Sequence, residues 1–178
     1  MDLYTQIESV PATYPVPPPG LSSAASDLDH QAIWERIEGY VSYRWSERQV
    51  VWIFRGPGWF IPPLKPAVVD TAEVWTPNGW ETATLIEAPV GYAAEEETYR
   101  ITATVGSTED PPSAVLEAYR RYAEYLADQA VEMGRVATSA NRSIGDLSQS
   151  GERPATWHAR ALQYSGAADL LRRFRSRN

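Results

Sequence analysis

Between Tyr99 and Val105 apolar and polar side chains alternate: Tyr99, Ile101, Ala103 and Val105 against Arg100, Thr102 and Thr104. Successive side chains of a strand point to opposite faces, so this period of two predicts a half-buried strand. Other stretches repeat differently. Ile33, Ile37, Tyr40 and Arg44 fall at i, i+4, i+7 and i+11, and Trp34, Val41 and Trp45 widen the stripe. That spacing predicts a helix over Asp27–Arg48, with Ser26 and Asp29 at capping-box spacing. Val115, Tyr119, Tyr122, Leu126, Ala130 and Met133 form a second stripe of about five turns. It predicts a long helix, Pro112–Met133, capped by Asp110 and ended by Gly134.

The middle of the chain reads as β. Gln49–Phe54 is rich in β-branched and aromatic residues; Arg55-Gly56-Pro57-Gly58 interrupts it, and Trp59–Ile61 resumes. Val68–Trp75 and Trp80–Ile86 flank Thr76-Pro77-Asn78-Gly79, a turn sequence, and so predict a hairpin with Trp75 and Trp80 at its neck. Residues 1–26 carry Pro11, Pro15, Pro17, Pro18 and Pro19, which favour an extended arm. Tyr4, Ile7, Val10, Tyr14 and Val16 give that arm something to lay against a neighbouring surface. Residues 135–155 are a polar linker. Two short helices follow, over Thr156–Tyr164 and Ala167–Phe174, separated by Gly166. The expected organisation is an arm (1–26), an α+β core (27–134) and a basic C-terminal arm (135–178). Within the core, the first and long helices pack with a small antiparallel β-sheet and its hairpin.

Charge sharpens that division. Residues 1–134 carry 8 Lys+Arg and 20 Asp+Glu, a net of −12; residues 135–178 carry 8 Arg and 3 acids, a net of +5. An acidic body with an arginine arm implies two surfaces with different partners. Leu170, Leu171 and Phe174 interleave at helical spacing with Arg172, Arg173, Arg175 and Arg177, and Trp157 stands upstream in a polar stretch. These eight residues are the candidate docking site for an acidic partner surface. A solvated tail and a DNA-phosphate contact are the other two readings of the arginines. The apolar face argues against the first, and the arm is expected to be dispensable for folding.

Candidate catalytic chemistry is thin. His30 and His158 are the only histidines and there is no cysteine, so no catalytic residue, metal ligand or cofactor site is assigned. Gly56-Pro57-Gly58 lacks the lysine of a phosphate loop and reads as a strand break. Glu95-Glu96-Glu97 reads as a solvated loop. Of the seven tryptophans, Trp34, Trp45, Trp52, Trp75 and Trp80 are assigned to core or subunit contacts. No stretch reads as a signal peptide or a membrane span.

The order of elements resembles a known family. A helix precedes the proline-bounded segment Phe60-Ile61-Pro62-Pro63-Leu64-Lys65-Pro66-Ala67-Val68-Val69. The strand Tyr99–Gly106, an acidic-proline turn and the long helix around Val115–Ala123 follow, and the chain closes on Ser165–Arg175. This is similar to the head–tail connector, or adaptor, proteins of long-tailed bacteriophages and gene transfer agents. The resemblance implies a non-enzymatic virion protein: a homo-oligomeric ring, typically of twelve subunits, at the head–tail interface. Its partners would be the portal protein and the next neck component, a stopper or tail terminator, with genomic DNA passing through the lumen without specific contacts and no membrane involved. The alternative is a tryptophan-rich module for carbohydrate or nucleobase in a tail-associated or cellular protein. A carboxylate hydrolase is the weakest reading, because no acid pair stands out.

Overall fold

The computed structural model describes residues 1–138 and 160–175, with the backbone alone over 131–138. The fold is α+β, and the described chain divides into two units. A sheet unit comprises Met1–Pro15 and Ser42–Asp110; a helical unit comprises Val16–Val41 and Pro111–Arg175. The division therefore falls away from the boundaries expected at residues 26 and 134, and each unit is built from separated segments.

The sheet unit centres on the alternating strand. Strand β8 (Thr98–Val105) lies between β2 (Arg48–Arg55) and β4 (Ala67–Thr76), antiparallel to both. Strands β1 (Asp2–Glu8) and β5 (Gly79–Thr82) complete a five-stranded sheet in the order β1-β2-β8-β4-β5. A second sheet holds β3 (Gly58–Phe60), β7 (Tyr92–Ala94) and β6 (Ile86–Glu87), in that order. One core serves both sheets. Val50, Trp52 and Phe54 from β2 and Tyr99, Ile101, Ala103 and Val105 from β8 are buried with Phe60, Leu64 and Ala94. Phe54 stacks on Phe60 with ring centroids 4.4 Å apart and on Tyr99 at 5.4 Å. Offset aromatic pairs of this kind add to the area they bury.

The N-terminal segment departs from a simple extended arm, because its first residues form strand β1 on the edge of the chain's own sheet. Side chains fix it there. Gln6 accepts from Trp52 Nε1 at 2.9 Å, and Glu8 accepts from Arg44 at 2.7 and 3.0 Å, a bidentate pair. Burial pushes the Glu8 carboxyl up, but hydrogen bonding from Arg44 and the charges of Arg44 and Arg48 outweigh it, so its pKa lies below the ordinary value.

The hairpin forms with the Trp75–Trp80 pair at its neck, but its return strand β5 stops at Thr82 instead of continuing to Ile86. Ile86 and Glu87 instead pair with β7. The sharp turn that follows requires Gly91, at φ +75°, where a Cβ would collide with the Phe60 carbonyl.

In the helical unit the first helix is shorter than its stripe. Helix α1 is one turn, Ser23–Ser26, with the Ser22 side chain accepting from Ala25 N–H. Helix α2 runs His30–Tyr40, and Asp29 caps it by accepting from Gln31 and Ala32 N–H. Val41 is already extended, at φ −119° and ψ 171°. Beyond it, Arg44 N–H donates to the Lys65 carbonyl and Lys65 N–H to the Ser42 carbonyl, both at 2.8 Å. Sheet-like pairing thus takes residues 42–44 from the helix. Trp45 is buried as expected, in this connection and not on a helix.

Helix α3 (Ser113–Thr138) runs through Gly134, since one interior glycine costs only about 1 kcal/mol relative to alanine. Its buried face is Val115, Ala118, Tyr119, Tyr122, Ala123 and Ala127. The expected stripe holds through Tyr122; Leu126 is half-buried and Ala130 exposed. The side chain of Met133 lies outside the described residues. Trp34 and Tyr119 meet with centroids 5.0 Å apart. Burial, with a smaller contribution from the Asp29 charge, pushes the Tyr119 phenol up to about 12.

Candidate docking surface

The C-terminal segment folds as two short helices, α4 (Ala161–Tyr164) and α5 (Ala167–Leu171), then a 3₁₀ turn, Arg172–Phe174. Gly166, at φ +73°, supplies the left-handed residue between the helices. Both helices pack on α3 and on each other. Ala161, Leu162, Ala167, Leu171 and Phe174 turn inward, and Leu171 is fully buried.

The arginines turn outward. Arg172, Arg173 and Arg175 are all exposed. Arg173 lies over the Phe174 ring at 4.6 Å and Arg175 over the Tyr40 ring at 4.9 Å. A guanidinium over a ring keeps its charge and its donors while losing rotamer freedom. Between 160 and 175 four arginines face one acid, Asp169. The structure therefore presents a partly ordered cationic surface on a chain that is acidic overall.

This placement corrects the amphipathic docking arm. The apolar spacing is real, but Leu171 and Phe174 bury it inside the unit, and Leu170 is half-buried. What remains outward is charge. Trp157 and Arg177, the other two candidates, lie outside the described residues, as do His158 and residues 139–155 of the expected linker, whose first residues, 135–138, instead continue helix α3. Removing residues 156–178 would expose the faces of α3 that Leu162 and Leu171 cover, so the described part of that segment, 160–175, belongs to the fold and is not dispensable to it. The stacking role of Tyr40 was invisible in the sequence, where it reads only as one member of the helical stripe.

The tryptophans divide. Trp34, Trp45 and Trp52 are buried. Trp75 is 51% exposed, because its neighbour Val74 pairs with Tyr99 on the core-facing side and alternation turns Trp75 outward. Trp80 is half-buried, with the Arg100 guanidinium 4.6 Å from its ring centre. Arg100 also donates to both carboxylate oxygens of Glu73, at 2.6 and 2.8 Å, and this bonding holds the Glu73 carboxyl below its ordinary pKa.

Among the described residues no group of three or more His, Asp or Glu side chains is placed to hold a metal ion, and no helix is long and apolar enough to cross a membrane. His30 is exposed at the start of α2, and Glu95, Glu96 and Glu97 are exposed between β7 and β8. No protein-family model, curated protein or solved structure matches this chain.

Proposed function

We propose that this chain is a structural subunit of the head–tail connector of a long-tailed bacteriophage or gene transfer agent, without catalytic activity. Copies associate into a ring beneath the portal, twelve by resemblance, and the ring joins head to tail and extends the DNA channel within the virion. The observation that supports this reading most is the cationic surface of Arg172, Arg173 and Arg175, held on a chain whose first 134 residues carry a net charge of −12. A guanidinium cluster suits carboxylates of a portal surface, where planar bidentate pairing gives both orientation and affinity. The acidic remainder suits a channel wall, because carboxylates repel the phosphate backbone and let a duplex slide past.

The test neutralises the arginines in place, since truncation would disturb the helical core. The triple variant Arg172→Gln, Arg173→Gln, Arg175→Gln keeps the fold and loses association with the portal protein of the same virion. Undiminished association would refute the docking role. A second reading, a tryptophan-rich binding module, is favoured by the exposure of Trp75. It predicts a tryptophan fluorescence change when a soluble sugar or nucleobase is added to the isolated protein, whereas the connector reading predicts none.

A further inference from the structure

Among the described residues, β1 and β5 are the two edges of the five-stranded sheet. Printed hydrogen bonds fix which backbone groups face outward. Ser9 N–H donates to the Gln49 carbonyl at 2.9 Å, in register with the Ile7–Val51 pair. Bonds of an antiparallel pair fall on alternate residues, so Thr5 and Ile7 bond to β2 while Gln6 and Glu8 turn their N–H and C=O groups to the free edge. At the other edge Ala83 N–H donates to the Ala72 carbonyl at 2.9 Å, in register with the Val74–Glu81 pair. Glu81 therefore bonds to β4, and Trp80 and Thr82 face the free edge. Neither Asp2–Glu8 nor Gly79–Thr82 contains the lysine or proline that commonly guards an edge. The bulge in β1 lies between Leu3 and Thr5, ahead of Gln6 and Glu8. Gln6, Glu81 and Thr82 are exposed, and Ile7 is 60% exposed.

The two edges match each other. Four antiparallel steps separate β1 from β5, so the two strands run in the same direction. Gln6 lies opposite buried Trp52, and Glu81 opposite core-facing Val74, which places both on the inner face of the sheet. Ile7 and Thr82 lie on the outer face. Two copies set side by side, facing the same way, bring β5 of one against β1 of the next as a parallel pair. With Gln6 opposite Glu81, Gln6 N–H donates to the Trp80 carbonyl, Thr82 N–H to the Gln6 carbonyl, and Glu8 N–H to the Thr82 carbonyl. Each of these groups already faces a free edge. On the outer face Ile7 comes beside Thr82, and Thr5 beside Trp80. Sliding by two residues would set the Glu8 carboxylate beside that of Glu81, so charge favours the first register.

We propose that β5 of one copy pairs with β1 of the next and that this edge-to-edge contact joins the copies. It rests on the connector reading and supplies its subunit interface. The contact is heterologous, and its repetition closes a ring when the rotation between copies permits. Three backbone bonds and a small outer-face contact are too little to hold two copies together in dilute solution, so pairing follows when a portal aligns the copies.

Cross-linking tests this. The chain has no cysteine, so introduced thiols are its only ones. The double variant Ile7→Cys, Thr82→Cys is mixed with the portal protein of the same virion and treated with a short bis-maleimide. Within one chain four strand spacings, about 19 Å along the sheet, separate the two positions. The expected result is a series of covalent dimers, trimers and larger species on a denaturing gel, with unchanged circular dichroism. A mixture of the two single variants on the portal gives dimer alone. Asp2→Cys with Thr82→Cys, off this register, gives no series. Native mass of the same samples counts the copies on the portal. Several copies on the portal without cross-linked species would overturn edge pairing and leave the connector reading standing. A chain that does not join the portal would overturn both. Dimers from Ile7→Cys alone, which would place two β1 edges together, or a series from the Asp2 control as strong as that from Ile7, would overturn the pairing.

Discussion

Leu171→Ala tests whether the C-terminal segment belongs to the helical core. Leu171 is fully buried in α5, which packs on α3, whereas its neighbour Leu170 is half-buried. The substitution removes three carbon atoms. At about 0.8 kcal/mol for each buried methylene, the transfer cost is roughly 2.4 kcal/mol. The cavity adds to this, since α3 on the other side of the contact is a continuous helix that relaxes only in part. A total of about 3 kcal/mol is expected, within the range of buried leucine truncations. Leu170→Ala loses less transfer energy and leaves no enclosed void, so it costs about 1 kcal/mol or less. Urea unfolding of the full chain, followed by helix circular dichroism, measures both. If the two units unfold separately, this signal reports mainly on the helical one. Losses for the two variants that agree within about 0.5 kcal/mol would refute the packed segment and restore a free arm.

Two titrations probe the two units. Glu8 has its folded pKa depressed by Arg44 and Arg48. Its stabilisation is therefore complete above the unfolded carboxylate value and is lost as pH falls through the folded value. Glu8→Gln costs about 2 kcal/mol near neutrality, because buried Arg44 loses its charged partner, and it flattens the acid limb of a stability–pH curve measured by urea unfolding. Tyr119 is the opposite case, with its folded pKa raised to about 12. Stability from its burial is full below the unfolded phenol value of about 10 and declines as pH rises from there to the folded value. Tyr119→Phe removes that decline, which alkaline unfolding monitored by circular dichroism detects.

The sequence made some of this architecture legible and hid the rest for physical reasons. The alternation over Tyr99–Val105 placed the central strand, because a strand with paired neighbours and one buried face must alternate. The stripe through Ile37, Tyr40 and Arg44 overran its helix. Arg44 and Trp45 are buried like helix residues, but in a connection that pairs with Lys65, and periodicity reports burial without naming the hydrogen-bond partner. The same ambiguity governs the C-terminal arm. The spacing of Leu171 and Phe174 correctly signals a buried face, but the partner is α3 of the same unit. Strand β1 was hidden because the prolines downstream dominate residues 1–26, while its attachment depends on Gln6 and Glu8, polar residues whose partners Trp52 and Arg44 lie about forty positions away.

The connector reading is tested most directly by the mass of the native assembly, measured for the purified chain alone and after mixing with the portal protein of the same virion. The account predicts a discrete complex carrying multiple copies of the chain on each portal ring, twelve by resemblance, and no such complex with the arginine-neutralised triple variant. Wild-type chain that remains unassociated with the portal, or a variant that assembles as fully as wild type, would contradict it.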